Sequence, residues 1–96
     1  MKLSEDRVVV QALKHILEHE KYYFLEYDEE GSKNKDYLSV KVIDRKAKRD
    51  HSITNSIRKE LERKTQRFFY PITSATNDSQ DWNTVWTYFN IREKKS

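Results

Sequence analysis

Two short histidine-containing patterns hold the residue types in this chain that could support catalysis. His15 to His19 reads H-x-x-E-H, and two histidines four residues apart on a helix could share a metal ion. A catalytic metal site also needs a third protein ligand and a substrate cleft, for which a chain of 96 residues offers little room. Glu18 and Glu20 make this stretch typical of a charged helix face, so we expect no metal site.

The second pattern, Asp50-His51-Ser52, contains the three residue types of a hydrolase triad. Consecutive side chains diverge, so these three cannot form the proton relay that the chemistry requires. Helix capping by Asp50 or Ser52 is the simpler interpretation. The chain has one glycine and no cysteine, which excludes a glycine-rich phosphate loop and thiolate chemistry. We therefore expect neither an enzyme nor a cofactor.

The positive charge of the chain is concentrated in residues 45–67. This segment holds nine of the nineteen lysines and arginines and three of the sixteen acidic residues, a net +6 by count, whereas the whole chain carries +3. Clustered positive charge attracts polyanions, and each neutralised phosphate releases counterions. The segment predicts a nucleic-acid-binding surface, with a solvated helix face partly neutralised by Glu60 and Glu62 as the alternative. The predicted phosphate contacts are Arg45, Lys46, Lys48, Arg49, Arg58, Lys59, Arg63, Lys64 and Arg67.

Two stripes of apolar residues, spaced three or four positions apart, predict two helices. The first helix is expected over about residues 4–20, with Ser4 as its N-cap, and the second over about residues 52–66. The predicted buried stripes are Val9, Leu13, Ile16 and Leu17 in the first helix and Ile53, Ile57 and Leu61 in the second.

Aromatic and alternating segments predict four strands. The first two flank a polar loop that contains Gly31, which is typical of a β-hairpin. Pro71 indicates an edge or a bulge in the third, and a polar turn over 74–81 precedes the fourth. The predicted strands are residues 22–27, 37–44, 67–73 and 82–92.

The resulting order, α-β-β-α-β-β, predicts an α+β fold. Two α-β-β units would form a four-stranded antiparallel sheet with two helices on one face, in a permuted ferredoxin-like order. Residues 1–96 are expected to form a single small domain, frayed at both termini. The two halves also resemble each other at an offset of 44 residues: Val9, Leu13, Leu17 and Phe24 match Ile53, Ile57, Leu61 and Phe68.

Aromatic residues make up 12% of the chain and are the candidates for a second surface. If Leu38, Val40, Val42, Val85, Phe89 and Ile91 face the helices, alternation places the other aromatic side chains on the opposite face. That face would stack unpaired bases or form an interface with a partner. If the assignment of the two faces is reversed, its aromatic residues belong to the core. The predicted stacking or interface residues are Tyr22, Trp82, Trp86 and Tyr88.

These observations predict a small non-enzymatic nucleic-acid-binding or regulatory protein that uses residues 45–67. The alternative is a protein–protein interaction module, an inhibitor, adaptor or homodimer, that docks through an aromatic sheet face or an edge strand. An acidic protein surface would suit the same cations. No apolar run approaches the roughly 20 residues of a membrane span, and no signal peptide is visible. We therefore expect a cytoplasmic protein, or a nuclear one in a eukaryote, with no membrane partner.

Overall fold

The helices and strands of the chain form an α+β fold. The structure is a computed structural model that describes residues 1–20, 22–44, 47, 50–72, 75–77 and 87–95. For residues 75–77 and 87 the description covers the backbone alone. A short 3-10 turn, Leu3–Glu5, precedes the first helix. In chain order the elements are α1 (Arg7–His19), β1 (Leu25–Tyr27), α2 (Glu29–Ser32), β2 (Leu38–Val42), α3 (His51–Thr65), β3 (Ala75–Asn77) and β4 (Thr87–Ile91).

Aspartate side chains begin both long helices. Asp6 accepts a hydrogen bond from the Val9 N–H at the start of α1, and Asp50 accepts one from the Ser52 N–H at the start of α3. These bonds satisfy amide groups that have no partner inside the helix. The prediction that Ser4 caps the first helix is wrong, because the chain forms a separate 3-10 turn before Asp6.

The predicted apolar stripes of both long helices face the core. All four stripe residues of α1 are buried, as are Ile57 and Leu61 of α3, while Ile53 is partly buried against them. The left-handed conformation of Gln66, with a φ of 58°, ends α3. The two helices pack against each other, and α1 also contacts β1. They share one hydrophobic cluster with the sheet.

The sheet has a three-stranded antiparallel body, β1-β2-β4, and β3 borders β4, giving the order β1-β2-β4-β3. Val40 is paired with Tyr27 on one side and with Phe89 on the other. The buried residues Leu38, Val40, Val42, Phe89 and Ile91 alternate along their strands. One face of the sheet therefore forms the core with α1 and α3, and the intervening side chains lie on the opposite face.

The predicted fold of two α-β-β units forming a four-stranded sheet under two helices, in a permuted ferredoxin-like order, is wrong. The described residues form three α-helices and a three-stranded sheet body to which β3 is added. Within predicted strand 67–73, the described residues 67–72 form an isolated bridge between Phe69 and Glu93, and β3 comes instead from the predicted turn. Pro71 has no N–H to donate to a ladder and lies between the bridge and β3, which gives a physical reason for the interruption.

The match between the two halves also fails at this point. Phe68 was matched with Phe24, but Phe68 is 68% exposed and Phe69 is buried in its place. In the segment after α3, Phe69 therefore faces the core, and Phe68 faces solvent. Of the predicted fourth strand, residues 87–91 form β4, and residues 82–86 lie outside the described residues.

Helix α2 occupies the loop that was predicted to close a β-hairpin. The Asp28 carboxylate accepts a hydrogen bond from the Gly31 N–H at 3.0 Å, and the absent Gly31 side chain leaves the space that this carboxylate fills. The buried Ser32 hydroxyl donates to the Asp28 carbonyl at 2.7 Å and accepts from the Ser39 N–H at 2.8 Å. These bonds attach α2 beside β2, at the position where β1 ends.

Candidate functional site

One side of α3 consists of exposed residues without an acidic side chain among them. Lys59 and Arg63 lie four positions apart and therefore on the same side of the helix. Neutral polar residues continue this side toward both helix ends. We define the α3 ridge as Ser52, Asn55, Ser56, Lys59, Arg63 and Gln66, all of which are exposed.

The two acidic residues of α3 are held at the flanks of this ridge. Glu60 contacts Arg63 at 2.8 Å, and Glu62 contacts Arg58 at 3.5 Å. Glu62 also accepts the Phe69 N–H at 2.9 Å, which orients it toward the body of the protein. The Arg63 side chain is 66% exposed, compared with 32% for its partner Glu60, so the cation extends into solvent beyond the carboxylate.

The charges of Glu60 and Arg63 stabilise each other. A hydrogen bond from Arg63 lowers the pKa of Glu60, and the same bond raises the pKa of Arg63. Both groups therefore stay ionised at neutral pH. Lys64 is also exposed, on the last turn of α3, and adds positive charge at the C-terminal end of the ridge.

Arg67, which was predicted to contact phosphate, takes part in an ion cluster within the protein. Its guanidinium forms ion pairs with Asp6 and with Glu93, the latter at 2.7 Å, and its Nε donates a second bond to Glu93 at 2.8 Å. These bonds raise the pKa of Arg67, and the bond from Arg67 lowers the pKa of Asp6. The cluster links the start of α1, the segment after α3 and the segment after β4.

The lowered pKa of Asp6 predicts a specific loss of stability in acid. Because the folded-state pKa lies below the unfolded value, the stabilisation is present above about pH 4 and is lost as pH falls through the folded pKa. Thermal unfolding of the wild type should therefore move to lower temperature between pH 5 and pH 3. Asp6→Asn keeps a capping side chain but removes the charge, and this variant should show a smaller shift.

Asp50→Asn is the matched control for that prediction, because Asp50 caps α3 and has no arginine partner among the described residues. Its pKa is lowered mainly by the Ser52 hydroxyl, and the group is exposed. The control should reduce the acid sensitivity less than Asp6→Asn does. Equal acid sensitivity of the wild type and Asp6→Asn would contradict the prediction.

The remaining predicted phosphate contacts are placed as follows. Arg58 is half-buried and paired with Glu62, whereas Lys59, Arg63 and Lys64 are exposed. The structure therefore brings Lys59, Arg63 and Lys64 together on the solvent side of α3. Four predicted contacts lie outside the described residues: Arg45, Lys46, Lys48 and Arg49.

The predicted aromatic residues do not form one described surface. Tyr22 packs against the hydrophobic core, whereas Tyr88 is half-buried on the sheet face opposite to Phe89. Trp82 and Trp86 lie outside the described residues. Sequence reasoning missed Tyr37 and Arg92 on the same face as Tyr88. Tyr37 precedes the core residue Leu38, and Arg92 follows the core residue Ile91. This alternation could have placed both on the opposite face.

Both catalytic-looking patterns lie in the described part of the chain. The rings of His15 and His19 stack at 4.3 Å between centroids, and both residues are exposed. No group of three or more potential metal-ligating side chains was found among the described residues. The Ser52 hydroxyl donates to the Asp50 carboxylate, so Asp50 and Ser52 contact each other directly, without His51 between them as a relay would require.

Comparison with known proteins gives no further indication of function. No protein-family model matches the chain, and no curated protein or solved structure is significantly similar to it. No helix in the described ranges is long and apolar enough to cross a membrane.

Proposed function

We propose that this chain is a small non-enzymatic nucleic-acid-binding protein that contacts phosphates through the α3 ridge. The observation that carries the proposal is the exposed pair Lys59 and Arg63 on a helix side that presents no exposed acidic residue. Lysine and arginine on one helix side form the electrostatic footprint of a nucleic-acid surface. A regulatory role would follow from occupancy of a binding site rather than from catalysis.

The neutral residues of the ridge support the same proposal. Serine, asparagine and glutamine side chains are frequent donors to phosphate and sugar oxygens, and such contacts fix the position of a protein on the nucleic acid. Ser56 lies one turn before Lys59, and Asn55 lies two turns before Arg63. A phosphate chain along α3 would therefore meet donors over the full length of the helix.

Further cations lie close to the α3 ridge in the sequence and add to its positive charge. Four predicted contacts, the cations of 45–49, come within five positions before Asp50, and Lys64 follows Arg63 directly. Contacts with about five phosphates would give a slope of log K against log salt of about −4 to −5 on duplex DNA. Non-specific binding by such a surface typically has a Kd in the micromolar range.

The proposal is tested by fluorescence anisotropy with labelled duplex DNA, single-stranded DNA and RNA across a salt series. We expect binding at low salt whose affinity for duplex DNA falls about two-hundredfold for a fourfold rise in salt, as a slope of about −4 requires. An affinity that is absent at low salt, or that does not change with salt, would overturn the proposal.

A second candidate function, a protein-interaction module, is favoured by the edge of the sheet. Among the described strands β3 lies at the edge of the sheet, and the nearby Phe68 and Tyr70 are 68% and 49% exposed. An extended segment of a partner, or a second copy of the chain, would pair with such an edge. Sedimentation equilibrium over a wide concentration range would support the homodimer if the mass doubled and would exclude it if the mass stayed that of one chain.

A further inference from the structure

The sheet face away from α1 and α3 combines aromatic and cationic side chains. Because Phe89 and Ile91 point into the core, the alternate residues of β4 and of its continuation lie on the other face. The residues of β2 that alternate with buried Leu38 and Val40 also lie on that other face. We call this side of the sheet the open face. Ser39 is buried in it, four residues are half-buried (Tyr37, Lys41, Tyr88 and Asn90), and four are exposed (Phe68, Tyr70, Arg92 and Lys94).

Backbone hydrogen bonds place Phe68 and Tyr70 beside the cations of this face. The Tyr70 N–H donates to the Arg92 carbonyl at 2.9 Å, and the Lys94 N–H donates to the Phe68 carbonyl at 2.8 Å. Buried Phe69 is paired with Glu93 on the core side, so its two neighbours point to the open face. Each exposed ring therefore has a cation opposite it across the strands.

The rings and the cations of the open face form a mixed surface. The Arg92 guanidinium lies 4.7 Å from the centroid of the Tyr37 ring, and Arg92 is exposed. A shallow cavity of ≈ 560 Å³ lies between α2 and β4, with Tyr37, Tyr88 and Asn90 in its lining. This volume is within the range of roughly 300 to 1,000 Å³ that is usual for small-molecule sites, so a nucleobase would fit.

Charge is distributed unequally across the open face. Asp28 and Glu30 line the α2 side of the cavity, whereas Arg92 and Lys94 follow β4 on the other side. The carboxylates repel phosphate but accept hydrogen bonds from the amino groups of bases. The cations attract phosphate. A ligand that combines bases with phosphates matches this distribution, and an acidic peptide does not.

We propose that the open face binds a single-stranded nucleic acid. Its backbone follows Arg92 and Lys94. Its bases stack on the rings on both sides of these cations, Phe68 and Tyr70 on one side and Tyr37 on the other. Stacking on a flat sheet requires bases that are not paired in a duplex, and it contributes about 1 to 3 kcal/mol per base. This inference rests on the proposed function and names its ligand class.

The chain leads from the end of α3 to the open face within a few residues. Lys64 at the end of α3 precedes Phe68 by four residues, which span at most about 14 Å of extended chain. A single strand of several nucleotides can therefore contact both surfaces. Duplex DNA would contact the α3 ridge without using the rings.

The test compares Phe68→Ser/Tyr70→Ser with the wild type, using labelled single-stranded RNA, single-stranded DNA and duplex DNA. Both replaced rings are exposed, so the variant should fold. We expect at least tenfold weaker binding of the single strands, as the loss of two stacking contacts implies, and duplex affinity within about twofold of the wild type. Tyr23→Ser is the matched control, because Tyr23 is 85% exposed in the turn before β1, and it should leave all affinities unchanged.

The outcomes separate this inference from the proposed function. Wild-type binding with unchanged single-strand affinity in Phe68→Ser/Tyr70→Ser would overturn the open-face inference and leave the α3 ridge proposal standing. An equal loss of single-strand and duplex binding would also overturn the inference, because the rings would then act without selecting single strands. Failure of the wild type to bind any nucleic acid at low salt would overturn both.

Discussion

Replacing Arg67 with methionine is expected to lower the free energy of unfolding by about 1 to 3 kcal/mol at neutral pH. The substitution keeps much of the aliphatic side chain but leaves Asp6 and Glu93 without the guanidinium that both contact. The Asp6 side chain is only 12% exposed, so solvent compensates its charge poorly. Urea denaturation followed by circular dichroism measures this loss.

Arg63→Met is the matched control for Arg67→Met. It removes an arginine from an exposed helical pair with Glu60, and an exposed ion pair contributes little to stability because water screens it. The control should therefore change the denaturation midpoint little. Equal destabilisation by the two substitutions would mean that the Arg67 cluster does not hold the three segments together.

Reversing the charges of the α3 ridge with Lys59→Glu/Arg63→Glu is expected to weaken nucleic-acid binding about fiftyfold or more at ~0.1 M salt. Each phosphate contact contributes roughly eightfold at that salt concentration through counterion release, and two contacts are lost. The salt slope should also decrease in magnitude by about two, independently of the base sequence. Anisotropy titration of duplex DNA at several salt concentrations measures both quantities.

Lys33→Glu/Lys35→Glu is the matched control for that variant. It changes the net charge by the same amount, at exposed positions between α2 and β2. Its effect on affinity should be at most a few-fold, because the screening length at ~0.1 M salt is about 10 Å. Similar losses in the two variants would show that net charge, rather than the α3 ridge, determines binding.

The two long helices, α1 and α3, were predictable from the sequence because their apolar residues have the helical period. The stripe Ile53, Ile57 and Leu61 placed α3 within one residue of its observed ends, and it also determined that Lys59 and Arg63 face solvent. The start of α1 was not predictable in the same way. Ser4 and Asp6 are both good caps, and the Arg67 bond to Asp6 depends on a contact across the fold.

The orientation of the segment after α3 could not be derived from its local sequence pattern. Phe68, Phe69 and Tyr70 are three consecutive aromatic residues, so alternation does not show which of them is buried. The choice of Phe69 follows from its pairing with Glu93 and from the bond between its N–H and Glu62. This choice also places Phe68 and Tyr70 on the open face, and sequence reasoning therefore missed most of that surface.

Helix α2 was missed because four residues are too few to show a helical period. Gly31 was interpreted as a hairpin turn residue, whereas its lack of a side chain makes room for the Asp28 carboxylate. The cavity on the open face depends on this helix for one wall. The sequence therefore predicted the basic helix well and the sheet surface poorly.

Mapping of amide chemical shifts during titration with an oligonucleotide tests the central claim most directly, because it locates the contact on the folded protein. The account predicts shifts at exposed residues of α3, centred on Lys59 and Arg63, and no comparable shifts at exposed α1 residues such as Arg7 and Gln11. Absence of shifts at low salt, or shifts confined to α1, would contradict the claim that the α3 ridge binds nucleic acid.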